Sequence, residues 1–102
     1  MTATPFFSLE SNTLGTLSVS GAISFANAAR ALAQGPQLAR AGTTLELDLS
    51  GLENADSATL AVLIAWTAHA RHRGAELRYL HAPPGLLNLA RLCQVEALLG
   101  LV

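Results

Sequence analysis

The chain has no lysine, one cysteine, one tryptophan and one tyrosine, and only 13% of its 102 residues are charged. Each shortage excludes something. Its basic residues are arginines scattered along the chain, and the net charge is −1, so there is no basic footprint for nucleic acid or an anionic membrane. A lone Cys93 excludes an internal disulfide, and its place beside Leu89, Ala90 and Leu92 predicts a buried, inert thiol. No stretch reaches roughly 18 apolar residues without a polar break, so no transmembrane helix and no direct membrane insertion are expected. The opening MTATPFFSLE lacks a basic region followed by a long apolar run. No secretion signal is read there, and the expected location is the cytoplasm.

What the chain does have is apolar residues, 51% of the total. The length suits one domain, residues 1–102, with a core that needs no staples. Such an apolar balance also suits a domain that presents part of its surface to a partner. The strand pattern is alternating. Thr16–Ser20 sets Leu17 and Val19 against hydroxyl residues, Thr44–Leu49 sets three leucines against Glu46 and Asp48, and Glu76–His81 sets Leu77 and Tyr79 against charge. Phe6–Glu10 is a weaker edge strand, followed by a turn at Ser11-Asn12-Thr13.

Between the strands lie helical patterns. Ser24 caps a helix to about Gln34 with Phe25, Ala28, Ala29 and Leu32 on one face, and Gly35-Pro36 stops or kinks it. Ser50–Ala55 reads as a loop, and Asp56 caps a helix over Ser57–Arg73 that ends at Gly74. Pro83-Pro84 opens a third helix over about Gly85–Gln94, and Val95–Leu99 reads as a short apolar turn. The order β-β-α-β-α-β-α predicts an α/β fold with a mixed, mostly parallel sheet. Strands covered on both faces read as unbroken apolar runs. These alternate, so the helices are expected mainly on one face.

The second helix is apolar nearly all round. Leu60, Leu63, Ile64 and Ala68 suit packing on the sheet, while Val62, Trp66, His69 and Arg73 form a second stripe. That stripe is either covered by neighbouring helices or a docking face with Trp66 as its anchor. Trp66 lies roughly 13 Å along the axis from Ser57. Ser57 stands at the first helical position, where a phosphate would meet backbone N–H groups and the positive end of the helix dipole.

Catalytic chemistry is missing. Ser57 has no G-x-S-x-G elbow and no base nearby in the chain, and there is no glycine-rich phosphate loop. Asp48 and Asp56 bracket one loop, but the first reads as the polar face of a strand and the second as a cap. His69 and His72 lack acidic or thiol neighbours for a metal site and read as solvated helix-end residues. No cofactor, no metal and no enzymatic activity are expected.

The run Asp48-Leu49-Ser50-Gly51-Leu52-Glu53-Asn54-Ala55-Asp56-Ser57-Ala58-Thr59-Leu60, followed by an apolar helix, Gly74 and a strand, resembles the hallmark of STAS domains. These are anti-sigma-factor antagonists and transporter-associated modules. Leu89-Ala90-Arg91-Leu92, Val95 and Leu98-Leu99 resemble the family's third helix and tail. In the family the hydroxyl residue after that aspartate is the phosphorylatable position, which implies Ser57 as a switch. The pattern from Ala55 to Trp66, with Arg71, Arg73-Gly74 and Leu77-Arg78-Tyr79 after it, is similar to the MlaB branch. That branch implies a cytoplasmic accessory subunit of a phospholipid ABC transporter, held at the inner membrane by an MlaF-like ATPase and supporting outer-membrane lipid asymmetry. The implied contact residues are Asp56, Ser57, Ala58, Thr59, Val62 and Trp66. The alternative is an anti-sigma-factor antagonist phosphorylated on Ser57 by an anti-sigma factor kinase. Against it, Gly21-Ala22-Ile23-Ser24 stands where many antagonists carry an acidic G-E-[LIV]-D.

Overall fold

In a computed structural model, residues 7–11, 16–24, 26–38, 41–53 and 56–101 are described. Phe25, Asn12 and Thr13 of the expected turn at Ser11-Asn12-Thr13, and Asn54 and Ala55 of the expected loop lie outside them. The elements run β1 (Phe7–Ser11), β2 (Thr16–Gly21), α1 (Ala28–Leu38), β3 (Thr44–Leu52), α2 (Ser57–His72), β4 (Glu76–Leu80), α3 (Pro84–Leu92) and the single-turn α4 (Glu96–Leu99).

The four strands stand in the order β1-β2-β3-β4. β1 pairs antiparallel with β2, and the β2–β3 and β3–β4 pairs are parallel. The architecture is the expected mixed, mostly parallel α/β sheet. Its crossovers through α1 and α2 step the same way along the sheet. Crossovers of one hand that step one way put their helices on one face, and α1 packs against α2. Alternation along the strands follows from this. Leu47, Leu49, Leu77 and Tyr79 are buried toward the helices, while Glu76 and Arg78 are exposed on the other face.

The core is the layer between. It joins Val19, Leu47, Leu49 and Tyr79 of the sheet to Leu60, Leu63 and Trp66 of α2, Ala31 of α1, Leu86 and Ala90 of α3, and Leu99 of α4. Its two aromatic residues with polar tips are satisfied. The Trp66 indole N–H donates to the Ala31 carbonyl at 2.9 Å. The Tyr79 hydroxyl donates to the Leu63 carbonyl at 2.9 Å, which leaves Thr67 to donate to the Tyr79 oxygen at 3.0 Å. Burial pushes the Tyr79 hydroxyl far above its ordinary pKa, so it remains a donor at any physiological pH.

Several sequence readings shift. The first α-helix begins at Ala28, a turn after Ser24, but Ser24 still caps the turn that leads into it: its hydroxyl accepts from the Ala26 N–H at 3.3 Å and its carbonyl from the Asn27 N–H at 3.2 Å. The Asn27 side chain accepts from Ser24 N–H at 2.9 Å and donates to the Ala22 carbonyl at 2.8 Å. Its buried face carries Ala31, whereas Ala29 and Leu32 are exposed. The helix also continues past Gly35-Pro36 to Leu38. Pro36 falls near the helix end, where the bond it cannot donate is one of the last. Cys93 is exposed rather than buried. Cys93 is the C-cap of α3, at the helix end beyond the buried Leu86 and Ala90. His72 is exposed as expected, but His69 is half-buried, and its Nε2 is enclosed with no hydrogen-bond partner among the described residues.

β3 also runs three residues beyond Leu49. Ser50 and Gly51 have turn-like chemistry, yet pairing with β2 holds them extended, through a bulge between Ser18↔Asp48 and Ser20↔Gly51. The bulge brings the backbones close. A Cβ on Gly51 would lie 2.9 Å from the Ser20 Cβ and 3.2 Å from the Val19 carbonyl oxygen. Gly51→Ala is therefore expected to destabilise the fold by about 1–3 kcal/mol, the usual cost of overpacking a closed site. Urea denaturation measures it, and an unchanged midpoint would mean that the two strands part at no cost.

Candidate functional site

The ends of the three parallel strands define one corner of the molecule. β2 leads to Ala22–Ser24, β3 to Glu53 and the start of α2, and β4 to His81 and Pro83. Open parallel sheets place their recognition surfaces at this carboxyl edge, because the connecting loops gather there.

α2 enters the corner through a capping box. The Asp56 carboxylate accepts from the Thr59 N–H at 2.9 Å, and the Asp56 N–H reaches back to the Thr59 hydroxyl at 3.5 Å. Asp56 has the extended backbone that a cap requires. The Thr59 hydroxyl lies 2.8 Å from the Ile23 carbonyl and 3.1 Å from the Asp56 carboxylate. Its proton goes to the nearer acceptor, so a fully buried threonine ties the start of α2 to the loop after β2. The sequence reading found Asp56 but missed Thr59 as its partner. A hydroxyl three residues after an aspartate cap is the signal that marks it.

Ser57 follows the cap and is exposed. Thr59's N–H is taken by the box, so the remaining first-turn N–H groups at the helix mouth are those of Ser57 and Ala58. The other residues read as contacts divide sharply. Asp56 is half-buried, Ala58 and Thr59 are buried, and Val62 and Trp66 are 1% and 2% exposed. Of the two readings of the second stripe, coverage by a neighbouring helix is the one observed, because Trp66 packs against α1 and hydrogen-bonds to it. Neither Val62 nor Trp66 offers its side chain to an outside partner in this fold.

A second pair braces the corner. His81 follows β4 with a positive φ of 57°, and its Nδ1 lies 3.2 Å from a carboxylate oxygen of Asp48 on β3. The same oxygen accepts from the Ser50 N–H at 2.9 Å. Bonding from Ser50, backbone first and then side chain, holds the Asp48 carboxyl below its ordinary pKa, and His81 adds to this. Thirty-three residues separate the two partners, which is why neither local pattern nor spacing points to the pair. The contact is exposed, with His81 70% accessible, and closes no catalytic geometry. Among the described residues no group of three metal-ligating side chains converges, and no helix is long and apolar enough to cross a membrane.

Comparison with known proteins adds family and fold. A family model described as "Mlab, STAS domain" matches residues 9–101. No curated protein matches the sequence. Among solved structures, the chain is similar to the anti-sigma factor antagonist SpoIIAA in its unphosphorylated form, with a TM-score of 0.69 and 16% identity over 90% of this chain and 84% of that one. It is similar to an anti-sigma factor antagonist from Mycobacterium paratuberculosis, with a TM-score of 0.56 and 20% identity over 93% and 82%. An antisigma-factor antagonist STAS domain from Rhodobacter sphaeroides gives 0.53 and 19% over 74% and 84%. At these identities the likeness is one of fold.

Two measurements check the corner. Asp56→Ala is expected to cost about 1 kcal/mol through the lost cap, and Thr59→Val about 1–3 kcal/mol because the Ile23 carbonyl loses its donor. The double variant should cost less than their sum, since both disrupt one box; strict additivity in chemical denaturation would separate the two bonds. For Asp48, a lowered folded pKa adds stability above the ordinary carboxylate range, about pH 4, and loses it as pH falls through the folded value. Asp48→Asn should flatten that acid limb, read as the denaturation midpoint against pH.

Proposed function

The chain belongs to the STAS domain family, in the group described as Mlab, and on that premise we propose that it is a non-enzymatic accessory subunit of a phospholipid ABC transporter. It docks through the Ser57 corner onto the transporter's MlaF-like ATPase, stabilises or regulates it, and so supports the lipid asymmetry of the outer membrane. The domain sits in the cytoplasm and reaches the inner membrane only through that partner.

One observation carries the reading. Ser57 is the exposed side chain at a helix start whose neighbours are fixed by the capping box and by Thr59 on the Ile23 carbonyl. A preorganised corner loses little freedom when a partner covers it. A hydroxyl at its centre makes or accepts a hydrogen bond without bringing a charge that must be desolvated. The second reading, an anti-sigma-factor antagonist switched by phosphate on Ser57, rests on the same exposed hydroxyl and on the fold shared with such antagonists. The chain's Gly21-Ala22-Ile23-Ser24, without the acidic pair, weighs against it.

Co-expression with the candidate ATPase followed by affinity purification tests the first reading, and failure to co-purify would sink it. Ser57→Glu is expected to weaken the complex by about 1–3 kcal/mol, through desolvation and like-charge contact in the interface. The same variant should leave the isolated domain as stable or slightly more stable, because a negative charge suits a helix N-terminus. Lost binding with retained stability identifies Ser57 as interface, and unchanged affinity reduces it to a helix-start residue. A condition-dependent phosphate on Ser57 in cells, found by phosphopeptide mapping, would favour the second reading.

A further inference from the structure

β4 ends the sheet, and among the described residues no strand pairs with its far side. The register says which of its backbone groups face out. Glu76 N–H donates to the Thr43 carbonyl at 2.9 Å, with Thr44↔Glu76 and Glu46↔Arg78 aligned. In a parallel ladder alternate residues bond to one neighbour. Glu76, Arg78 and Leu80 therefore bond to β3, and Leu77 and Tyr79 turn their N–H and C=O groups to the open edge. A groove of about 390 Å³ runs along that edge, lined by Thr67 and Arg71 of α2, Leu77 and Tyr79 of β4, and Leu98 of α4. Among the described residues Leu98 is one of the few large apolar side chains left exposed, at 40%.

We propose that this edge pairs with the β4 of a second copy of the chain, antiparallel, about a two-fold axis at Leu77. Two registers pair the outward N–H groups of Leu77 and Tyr79 with about four bonds each; an axis at Leu77 leaves the Tyr79 carbonyls to water, so side-chain charge decides between them. An axis at Arg78 sets Arg78 directly opposite its own copy, two like charges across the sheet, which is unfavourable. An axis at Leu77 sets Glu76 opposite the partner's Arg78 and Arg78 opposite the partner's Glu76. Both side chains are free to make that exchange, since they are 60% and 61% exposed and their contact within the strand is a loose 3.9 Å. In this register Leu77 exchanges both its bonds with its own copy, and each Tyr79 N–H meets the partner's Ala75 carbonyl, about four backbone bonds in all. Ala75 N–H is already held by the Ala70 carbonyl at 2.8 Å and takes no part. The incoming Leu77 lies on the helix side, over the groove beside Leu98. Edge strands are commonly protected by charge of one sign. Here the signs alternate, so the edge complements itself.

Sedimentation equilibrium from micromolar to millimolar protein tests this, under reducing conditions because Cys93 is exposed. A reversible monomer–dimer equilibrium is expected. Glu76→Arg alone, or Arg78→Glu alone, should weaken dimerisation about tenfold, because each places two like-charged pairs across the axis. The combined swap Glu76→Arg with Arg78→Glu should restore it. Amide exchange gives an independent readout, in which Leu77 and Tyr79 N–H gain protection as concentration rises. A monomer throughout the range, a dimer indifferent to both single reversals, or a swap that does not restore pairing would overturn the proposal.

Discussion

The enclosure of α2 is the constraint on which the other features depend. One side of this helix packs on the sheet through Leu60 and Leu63, and another side packs on α1 through Trp66. An indole buried to 2% exposure with its N–H bonded to a neighbouring helix carries a large apolar area and leaves no polar atom unpaid. That arrangement fixes α1 against α2 and α2 against the strands. It also decides what α2 can show to the outside. Leu60, Val62, Leu63 and Trp66 are consumed internally, whereas Ala68, which its spacing assigned to the sheet-packing stripe, is exposed; between its ends the helix shows chiefly the small Ala61 and Ala68.

At the N-terminal end the fold adds a lock. Asp56 and Thr59 satisfy each other's backbone and side-chain groups, and the Thr59 hydroxyl donates a hydrogen bond to the Ile23 carbonyl on a different loop. Nothing in this lock needs Ser57. The serine is held in place by its neighbours while its own hydroxyl stays outside. Division of labour of this kind lets a helix start change its charge without loss of structure, since the added charge meets the helix dipole rather than the core. On the far side of the corner, Asp48 and His81 hold the end of β4 to β3. Both fastenings bring together loops that are remote in sequence.

How much of this was legible in the chain depends on the range of the interaction. The alternating strands, the Asp56 cap, the stop at Gly74 and the Pro83-Pro84 helix start are written in local pattern, and each stands within a few residues of where that pattern puts it. The motif from Asp48 to Leu60 carried the family as well. What local pattern could not carry was set by tertiary contact. Trp66 has the composition of an interface anchor, and only the position of α1 makes it core. Ser50-Gly51 has the composition of a turn, and only the close approach of Ser20 keeps it in a strand. The Asp48–His81 pair belongs to the same class.

The Ser57 corner and the β4 edge differ in physical kind and in direction. The corner lies at the carboxyl ends of the strands and presents a side chain on a fixed backbone. The edge lies across the hydrogen-bond direction and presents the backbone itself, with side-chain charge choosing the register. A charge placed on Ser57 acts along the strands, whereas pairing at β4 extends the sheet sideways. Antiparallel pairing across an edge also sends the carboxyl ends of the two sheets in opposite directions. The two Ser57 corners of a dimer would then stand at opposite ends of one continuous sheet. Each would remain open, so the proposed self-association through β4 and the proposed docking at Ser57 would not compete for surface, and one assembly would have room for two partners at once.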